Sequence, residues 1–380
     1  MKRILITGGA GFIGSNIAHK LTAKEYEVVI LDNLSPQIHG DNPEENSPLF
    51  CSILKNPKIQ FIKGTITLRN DWRKVLNGID AIIHLAAETG TGQSMYEIEK
   101  YIDVNIMGTG LLLDILTNEK HGIKRVVVAS SRAIYGEGRY KCPSHGEVYP
   151  TQRLEEDMCR GDFECKCPFC SGTVELLSTT ENSKIHPTSL YGITKQNQEQ
   201  MVMVICKSLG IDAVSFRYQN VYGPGQSLSN PYTGILSIFS TQIKNSNPIT
   251  IFEDGLESRD FVYIDDVVDA TILGLEIKEA AGLSFNIGAD KPIDVITVAR
   301  KLRENYNSTI KINISGNFRL GDIRHNYADI TLAKQVLGYI PKVNFIEGIG
   351  HFCDWVNTQD IQKDRYNESI EEMKRKGLYK

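Results

Sequence analysis

Tyr191 and Lys195 stand four residues apart within Leu190 to Lys207, whose apolar spacing predicts a helix, so both side chains project from one face. An ammonium beside a phenol favours the phenolate, and a base that takes an alcohol proton near neutral pH needs that lowered pKa. Ser130 and Ser131 end the apolar run Arg125 to Ala129, which reads as a strand. A hydroxyl at that strand end can hydrogen-bond the oxygen that loses its proton. These types and spacings fit proton abstraction from an alcohol, with Tyr191 as acid/base, Lys195 as its electrostatic partner and Ser131 as the polarising hydroxyl.

A glycine cluster, Gly8-Gly9-Ala10-Gly11-Phe12-Ile13-Gly14, follows the apolar run Arg3 to Thr7 and opens the helical stretch Ser15 to Ala23. Read from Gly9 it matches G-x-G-x-x-G, in which glycines permit a tight turn, close approach of a pyrophosphate to backbone, and close helix-strand packing. The phosphate charge then meets a helix N-terminus. Asp32 ends the second apolar run, eighteen residues beyond Gly14, where a carboxylate can accept from both hydroxyls of an adenosine ribose. The same carboxylate repels a 2′-phosphate, and Asn33, Leu34 and Ser35 include no arginine to neutralise one, so NAD is expected rather than NADP.

Five of the eight cysteines (Cys142, Cys159, Cys165, Cys167, Cys170) fall in one loop-like stretch. Cys142-Pro143-Ser144-His145 and Cys167-Pro168-Phe169-Cys170 each offer two ligands separated by two residues, and twenty-one residues separate the pairs. That spacing is close to a zinc ribbon, and four protein ligands would leave no open position, so a structural zinc on Cys142, His145, Cys167 and Cys170 is expected. Cys165 or Cys159 is the alternative fourth ligand.

The elements that position these groups alternate. Arg3 to Thr7, Glu27 to Asp32, Ile59 to Lys63, Ala81 to Leu85, Arg125 to Ser130 and Ala213 to Arg217 read as strands, with helical segments such as Tyr101 to Thr117 between them. Such βαβ repetition predicts an α/β fold, a doubly wound parallel sheet of Rossmann type. Beyond Arg217, Gly223-Pro224-Gly225, Asn230-Pro231 and Asn247-Pro248 break the pattern. The expected organisation is a dinucleotide-binding domain over 1–217 carrying a Cys-rich insert at 138–186, a smaller substrate lobe over 218–360 interleaved with the last sheet elements, and a charged tail over 361–380. A net charge of -4 offers no electrostatic footprint for nucleic acid. No run of eighteen apolar residues occurs and the N-terminus reads as a strand, so neither membrane insertion nor export is expected, and the location is expected to be cytoplasmic.

Further pieces recur in one order along almost the whole chain: His84-Leu85-Ala86-Ala87, Asn105, Ser130-Ser131 with Tyr135-Gly136, Tyr191-Gly192-x-x-Lys195, Arg217-x-x-Asn220-Val221-Tyr222-Gly223-Pro224 and Arg259-Asp260-Phe261. With the glycine cluster they resemble the extended short-chain dehydrogenases/reductases that modify nucleotide sugars, the NAD-dependent epimerase/dehydratase group. The resemblance implies that Gly8, Gly11 to Gly14, Asp32, Asn33, Ser35, Ile66, Leu85 to Ala87, Asn105, Ala129, Ser130, Tyr218 and Val221 hold NAD. Thr65 stands where the family usually has an aspartate at the adenine. Thr89, Gln93, Arg132, Asn220, Tyr232 and Phe252 would meet the substrate, and Arg259 and Arg319 would clamp its diphosphate, in keeping with the fit of guanidinium forks to phosphate. A homodimer through Tyr101 to Thr117 and Leu190 to Lys207 is implied as well.

Dehydratases of this kind follow the hydroxyl residue with Asp-Glu, whereas Arg132 and Ala133 follow Ser131 here. The pattern is closer to 4-epimerases, and the Glu88 to Met95 loop and Tyr218-Gln219-Asn220 running into Asn230-Pro231-Tyr232-Thr233-Gly234-Ile235 resemble a subgroup that includes dTDP-L-rhamnose 4-epimerases. A UDP-hexose 4-epimerase or a 2-epimerase would use the same machinery. A non-catalytic NAD(H)-binding sensor or scaffold would be marked by loss of the tyrosine or lysine, and both are present.

Overall fold

Seven short runs rich in Val, Ile and Leu pair as one parallel sheet in the order Ser284–Ile287, Asp212–Tyr218, Arg125–Ser131, Ala81–His84, Arg3–Thr7, Glu27–Asp32, Ile59–Lys63. This is a computed structural model that describes residues 1–232 and 234–380; Thr233 of the quoted run lies outside the described residues. Leu5, Val29, Ile82 and Val127 and their neighbours make the inner strands largely apolar, because both sheet faces are covered, while Ser215, Arg217 and Asn286 are buried polar residues of the strands beyond. Ile4, Ile6, Val28, Ile30 and Ile83 enter one core, and Leu5, Val29, Leu31, Ile82 and Val126 enter the other.

Chain order reverses at Arg3–Thr7, which lies between Ala81–His84 and Glu27–Asp32. In an open parallel sheet the crevice outside the strand ends at that reversal is where ligands bind. Thr7, Asp32, His84, Ser131 and Tyr218 are the last residues of their strands and therefore surround it. The doubly wound expectation is met in the observed sheet.

One element differs from the sequence reading. The stretch Tyr101 to Thr117 is not one α-helix: a π-helical turn at Ile102–Met107 precedes the α-helix Gly108–Asn118. The charged tail, open in the sequence between a peripheral helix and a frayed end, is a packed helix. Its helix Tyr366–Arg375 buries Ser369, Ile370 and Met373 on one side, and Phe318 exchanges two backbone hydrogen bonds of 3.0 Å with Lys380. Apolar residues are sparse there, but their spacing puts the few that exist on one face.

A second, smaller sheet is built on Ser258–Tyr263, which pairs with Asn220–Tyr222, Pro292–Asp294 and His325–Asn326. The Cys-rich insert forms a hairpin of Tyr140–Cys142 and Gly146–Val148, with Glu175–Leu176 beside it. Among the described residues no helix is long and apolar enough to cross a membrane.

Candidate active site

The glycine cluster turns tightly because Gly8 has φ +67°, and a Cβ on it would lie 2.9 Å from Ala86 backbone. A Cβ on Gly14 would lie 2.5 Å from the Gly8 carbonyl oxygen, so only glycine lets the first helix start so close to the strand. At Gly11 the Cβ direction meets nothing nearer than 3.4 Å, which leaves the helix start open to the cleft. Asp32 ties the loop down: its Oδ2 accepts from the Ala10 N–H at 3.0 Å and its Oδ1 from the Leu34 N–H at 2.9 Å. Each oxygen keeps a lone pair for a ribose hydroxyl. His39 Nε2 stands 4.0 Å from Asp32, but burial lowers its pKa, which works against a cation for a 2′-phosphate. These residues fit NAD.

One cleft of about 1630 Å³ runs along the strand ends. It exceeds the ~300–1,000 Å³ of an ordinary ligand pocket, so it has room for a dinucleotide and a second ligand. Gly8, Gly11 to Gly14, Asp32, Asn33, Ser35, Thr65 and Ile66 line one end; Leu85 to Ala87, Ala129 to Arg132, Tyr191, Lys195, Tyr218 and Val221 line the middle. Thr89, Gln93, Asn220, Tyr232, Phe252, Arg259 and Arg319 line the remainder.

Asn105 is the exception. It is fully buried on the π-helical turn, where its amide accepts from the Glu88 N–H at 2.7 Å and donates to the Glu88 carbonyl at 3.1 Å and Thr194 Oγ1 at 2.9 Å. Both ends of its amide are occupied, so it shapes the Glu88 loop from behind instead of facing the cleft. At Thr65, the backbone N–H donates to Asp71 Oδ2 at 2.9 Å. An aspartate is thus present behind the position where the family's would stand.

Tyr191 sits in the first turn of Leu190–Leu209, whose N-cap Ser189 accepts from the Gly192 N–H at 3.2 Å. The Tyr191 N–H donates to Ser94 Oγ at 3.0 Å. Gly192 is required there because a Cβ would lie 2.5 Å from the Ala133 carbonyl oxygen, and that approach brings the phenol to the serine strand. Burial raises the Tyr191 pKa, while a hydrogen bond with Ser131 and the nearby Arg132 guanidinium oppose it.

Lys195 shares the helix face as expected, but its ammonium donates to Gln198 Oε1 at 2.7 Å and does not figure among the groups that shift Tyr191. The cation acting on the phenol is Arg132. Burial lowers the Lys195 pKa to about 7, with Glu199 opposing. Gln198 Nε2 donates to Thr109 Oγ1 at 2.8 Å, and that hydroxyl donates to the Asn105 carbonyl at 2.7 Å. Thr109 Oγ1 must then accept from His84 Nε2 at 3.0 Å, while His84 Nδ1 meets Thr7 Oγ1 at 2.8 Å. Two such partners fix a neutral imidazole, in line with a pKa lowered to about 3 by burial and by Lys195. Gln198 and Thr109 were missed in the sequence. Only the three-residue spacing of Gln198 from Lys195 on the helix signals the first.

At the far end, Arg319 Nε donates to Asp322 Oδ2 at 2.8 Å, with the guanidinium over the Phe252 ring at 5.0 Å. Arg259 donates to the carbonyls of Ser258 and Arg324 at 2.8 Å and of Ile323 at 2.7 Å. Arg132 donates from Nε to Asn220 Oδ1 at 2.7 Å. The tail helix borders the cleft as well, and the Tyr232 hydroxyl hydrogen-bonds Glu372.

In the insert, the structure gathers Cys142, His145, Cys167 and Cys170, whose ligand atoms all lie within 4.8 Å of one another. Cys159 is exposed and Cys165 is buried; neither belongs to the group.

The profile of the "NAD dependent epimerase/dehydratase family" matches residues 4–155 and 170–288, leaving out the segment with Cys159, Cys165 and Cys167. A dTDP-L-rhamnose 4-epimerase of Burkholderia thailandensis is 36% identical over 93% of this chain and 95% of its own length. A putative UDP-glucose 4-epimerase of Methanocaldococcus jannaschii is 30% identical over 94% of this chain and 99% of its own. Among solved structures, a UDP-glucuronic acid 4-epimerase from Bacillus cereus, in complex with UDP-glucuronic acid and NAD, superposes with a TM-score of 0.76 at 28% identity, covering 93% of this chain and 99% of that one. With the glycine loop, Asp32, the serine strand and Tyr191-Lys195 meeting in one cleft, the chain belongs to the NAD-dependent epimerase/dehydratase family and is an NAD-dependent nucleotide-sugar epimerase.

Proposed function

We propose that this protein is a nucleotide-sugar 4-epimerase acting on a dTDP-6-deoxyhexose, converting dTDP-L-rhamnose to dTDP-6-deoxy-L-talose. The observation that carries the reading is the 36% identity to a dTDP-L-rhamnose 4-epimerase over nearly the full length of both chains. The cleft supports the chemistry. Tyr191 would take the proton of the sugar hydroxyl and later return it, and Ser131 would hold that oxygen through both transfers. NAD bound over the glycine loop would supply the hydride acceptor and donor. Lys195, near neutrality in its protonation, would hold the ribose hydroxyls beside Tyr191. Asn220 and Arg132, joined to each other, would fix the sugar, and Arg259 and Arg319 would hold the diphosphate. The keto sugar must turn over between the two transfers, and a cleft of about 1630 Å³ leaves room for that.

The test is incubation with dTDP-L-rhamnose and, separately, UDP-glucose, with products followed by NMR. The 6-deoxy-L-talose product supports the reading; epimerisation of UDP-glucose alone overturns it in favour of a UDP-hexose 4-epimerase. Tyr191→Phe should lower the rate by about 10²–10⁴-fold, the usual worth of a positioned acid/base, while keeping bound NAD. A near wild-type rate would remove Tyr191 from the role.

A structural zinc on Cys142, His145, Cys167 and Cys170 belongs to the same proposal. Bond lengths of ~2.3 Å to sulfur and ~2.0–2.1 Å to nitrogen give tetrahedral edges of about 3.8 Å (S···S) and about 3.6 Å (S···N). The structure has Cys142 Sγ to Cys170 Sγ at 3.8 Å, and both Cys142 Sγ and Cys167 Sγ to His145 Nδ1 at 3.5 Å. Elemental analysis should find about one zinc per chain, as one four-ligand site requires. A homodimer through the helices that carry Tyr101 and Tyr191 is also proposed.

A further inference from the structure

The insert reaches past its own cysteines. Arg153, buried within it, donates to the Asp322 carbonyl at 3.0 Å and pairs with Glu253 at 2.8 Å. Glu164 accepts from the Arg324 guanidinium at 2.9 and 2.6 Å. Glu137, fully buried where the insert begins, accepts from the Arg324 N–H at 2.7 Å. All three contacts grip the segment 322–324. That segment aims the two arginines assigned to the diphosphate: the Asp322 carboxylate holds Arg319, and the carbonyls of Ile323 and Arg324 hold Arg259.

The gripping residues lie close in sequence to the four-ligand cluster. Glu164 is three residues before Cys167, and Glu137 five before Cys142. Met158 and Phe163 of the insert pack on Phe318 and Leu320, and Glu181 accepts from Arg217 and the Asn286 N–H, which tie the insert further to the rest of the chain. The insert's own apolar core is Tyr140, Cys142, Val148, Cys165 and Cys167 with Val174 and Leu176 packed against it, far too small to order some fifty residues without a metal or a staple. The insert and the arginine clamp are therefore one connected unit that also carries the four-ligand cluster.

We infer that the zinc-held insert is a positioning arm for the sugar-nucleotide diphosphate: through Arg153, Glu164 and Glu137 it fixes the 322–324 segment and so sets the geometry of Arg259 and Arg319. The inference rests on the zinc and nucleotide-sugar readings above. Arg153 and Glu164 touch no reacting atom and act through other residues. Glu164 is half exposed on its outer side, so changing it need not disturb folding.

The holoenzyme and Glu164→Gln, Arg153→Lys, Arg153→Leu and Cys167→Ser/Cys170→Ser variants are each assayed for zinc by elemental analysis, for bound NAD after denaturation, and for dTDP and UDP binding by calorimetry. Where a substrate is turned over, KM and kcat are measured separately. Glu164→Gln and the double cysteine variant should weaken binding of the better diphosphate by roughly tenfold or more, because an ångström-scale misplacement of a clamp costs on that order. KM should rise with it while kcat and NAD content stay near wild type, and Arg153→Lys should recover part of what Arg153→Leu loses. Unchanged diphosphate affinity in a folded, NAD-bearing Glu164→Gln and in the double cysteine variant overturns the inference. A zinc-free wild type overturns it too, at its metal end. A wild type that binds dTDP or UDP but epimerises no sugar nucleotide overturns only the proposed reaction, since the diphosphate and zinc readouts do not depend on turnover.

Discussion

Burial works against the base proposed for this chemistry, because a phenol shielded from water prefers its neutral form. The Tyr191 pKa is raised by desolvation, and the groups that pull it down are Ser131 and Arg132. Lys195 makes its contact with Gln198 instead, so the four-residue spacing that brought it to attention describes a shared face and not a direct ion-dipole contact. Ser131 opposes burial more than Arg132 does, and among the described residues Arg132 is the one cation that favours the phenolate. Its own pKa is lowered to about 9 by burial and by Arg259. A guanidinium so lowered is still a cation across the enzyme's working range, so Arg132 favours phenolate throughout it. Arg132→Ala should move the acid limb of the kcat/KM profile to higher pH. A limb that stays in place, or moves to lower pH, would show that Arg132 does not act on the base. The sequence displayed the contiguous motif residues plainly. It gave no sign that Asn105 is turned away from the cleft or that Arg132 lies against the phenol, because both facts depend on side-chain directions that spacing alone leaves open.

Among the elements, the helix Leu190–Leu209 carries the most connections. It presents Tyr191 and Lys195 to the cleft, and one turn further on it anchors itself to the sheet through Glu199, which receives Arg217 of the strand Asp212–Tyr218 at 2.6 Å. Arg217 also donates to the Tyr135 hydroxyl at 2.6 Å and to the Glu181 carbonyl at 2.8 Å, so one guanidinium joins helix, sheet, the turn after Ser131 and the end of the insert. Both partners are buried, and removing one leaves the other charge without compensation. Glu199→Ala should lower unfolding stability by about 3–5 kcal/mol in denaturant melts. A change under ~1 kcal/mol would mean the pair is no stronger than a surface ion pair. Strands and long helices were legible in the sequence because their apolar periods are regular. Ser284–Ile287, the seventh strand, was not, since only four residues form it and its neighbour Asp212–Tyr218 comes from over sixty residues upstream. The tail helix was one of two readings open in the sequence, but its packing was not legible: its buried side is three residues in a charged segment.

At the scale of the whole molecule, one exposed surface asks for a partner. Ile102 and Met107 on the π-helical turn, and Ile193 and Val204 on the helix Leu190–Leu209, are apolar and 39%, 55%, 42% and 64% exposed. The two elements pack on each other, so these side chains belong to neighbouring helical surfaces. Lone exposed apolar residues are ordinary, whereas several on paired helices mark an interaction surface. A two-fold copy would lay the same pair of helices against itself as a four-helix bundle, the self-complementary arrangement that a closed dimer uses. The same elements hold Asn105, between Ile102 and Met107, and Tyr191, two residues before Ile193, so association would also stiffen the wall behind Tyr191. Light scattering at micromolar concentration should give twice the chain's 42.5 kDa. Met107→Glu with Val204→Glu places like charges in the middle of that contact and should yield a monomer that keeps NAD, because neither residue lines the cleft. A wild-type mass of a single chain, or a dimer untouched by both glutamates, would place the association elsewhere or nowhere.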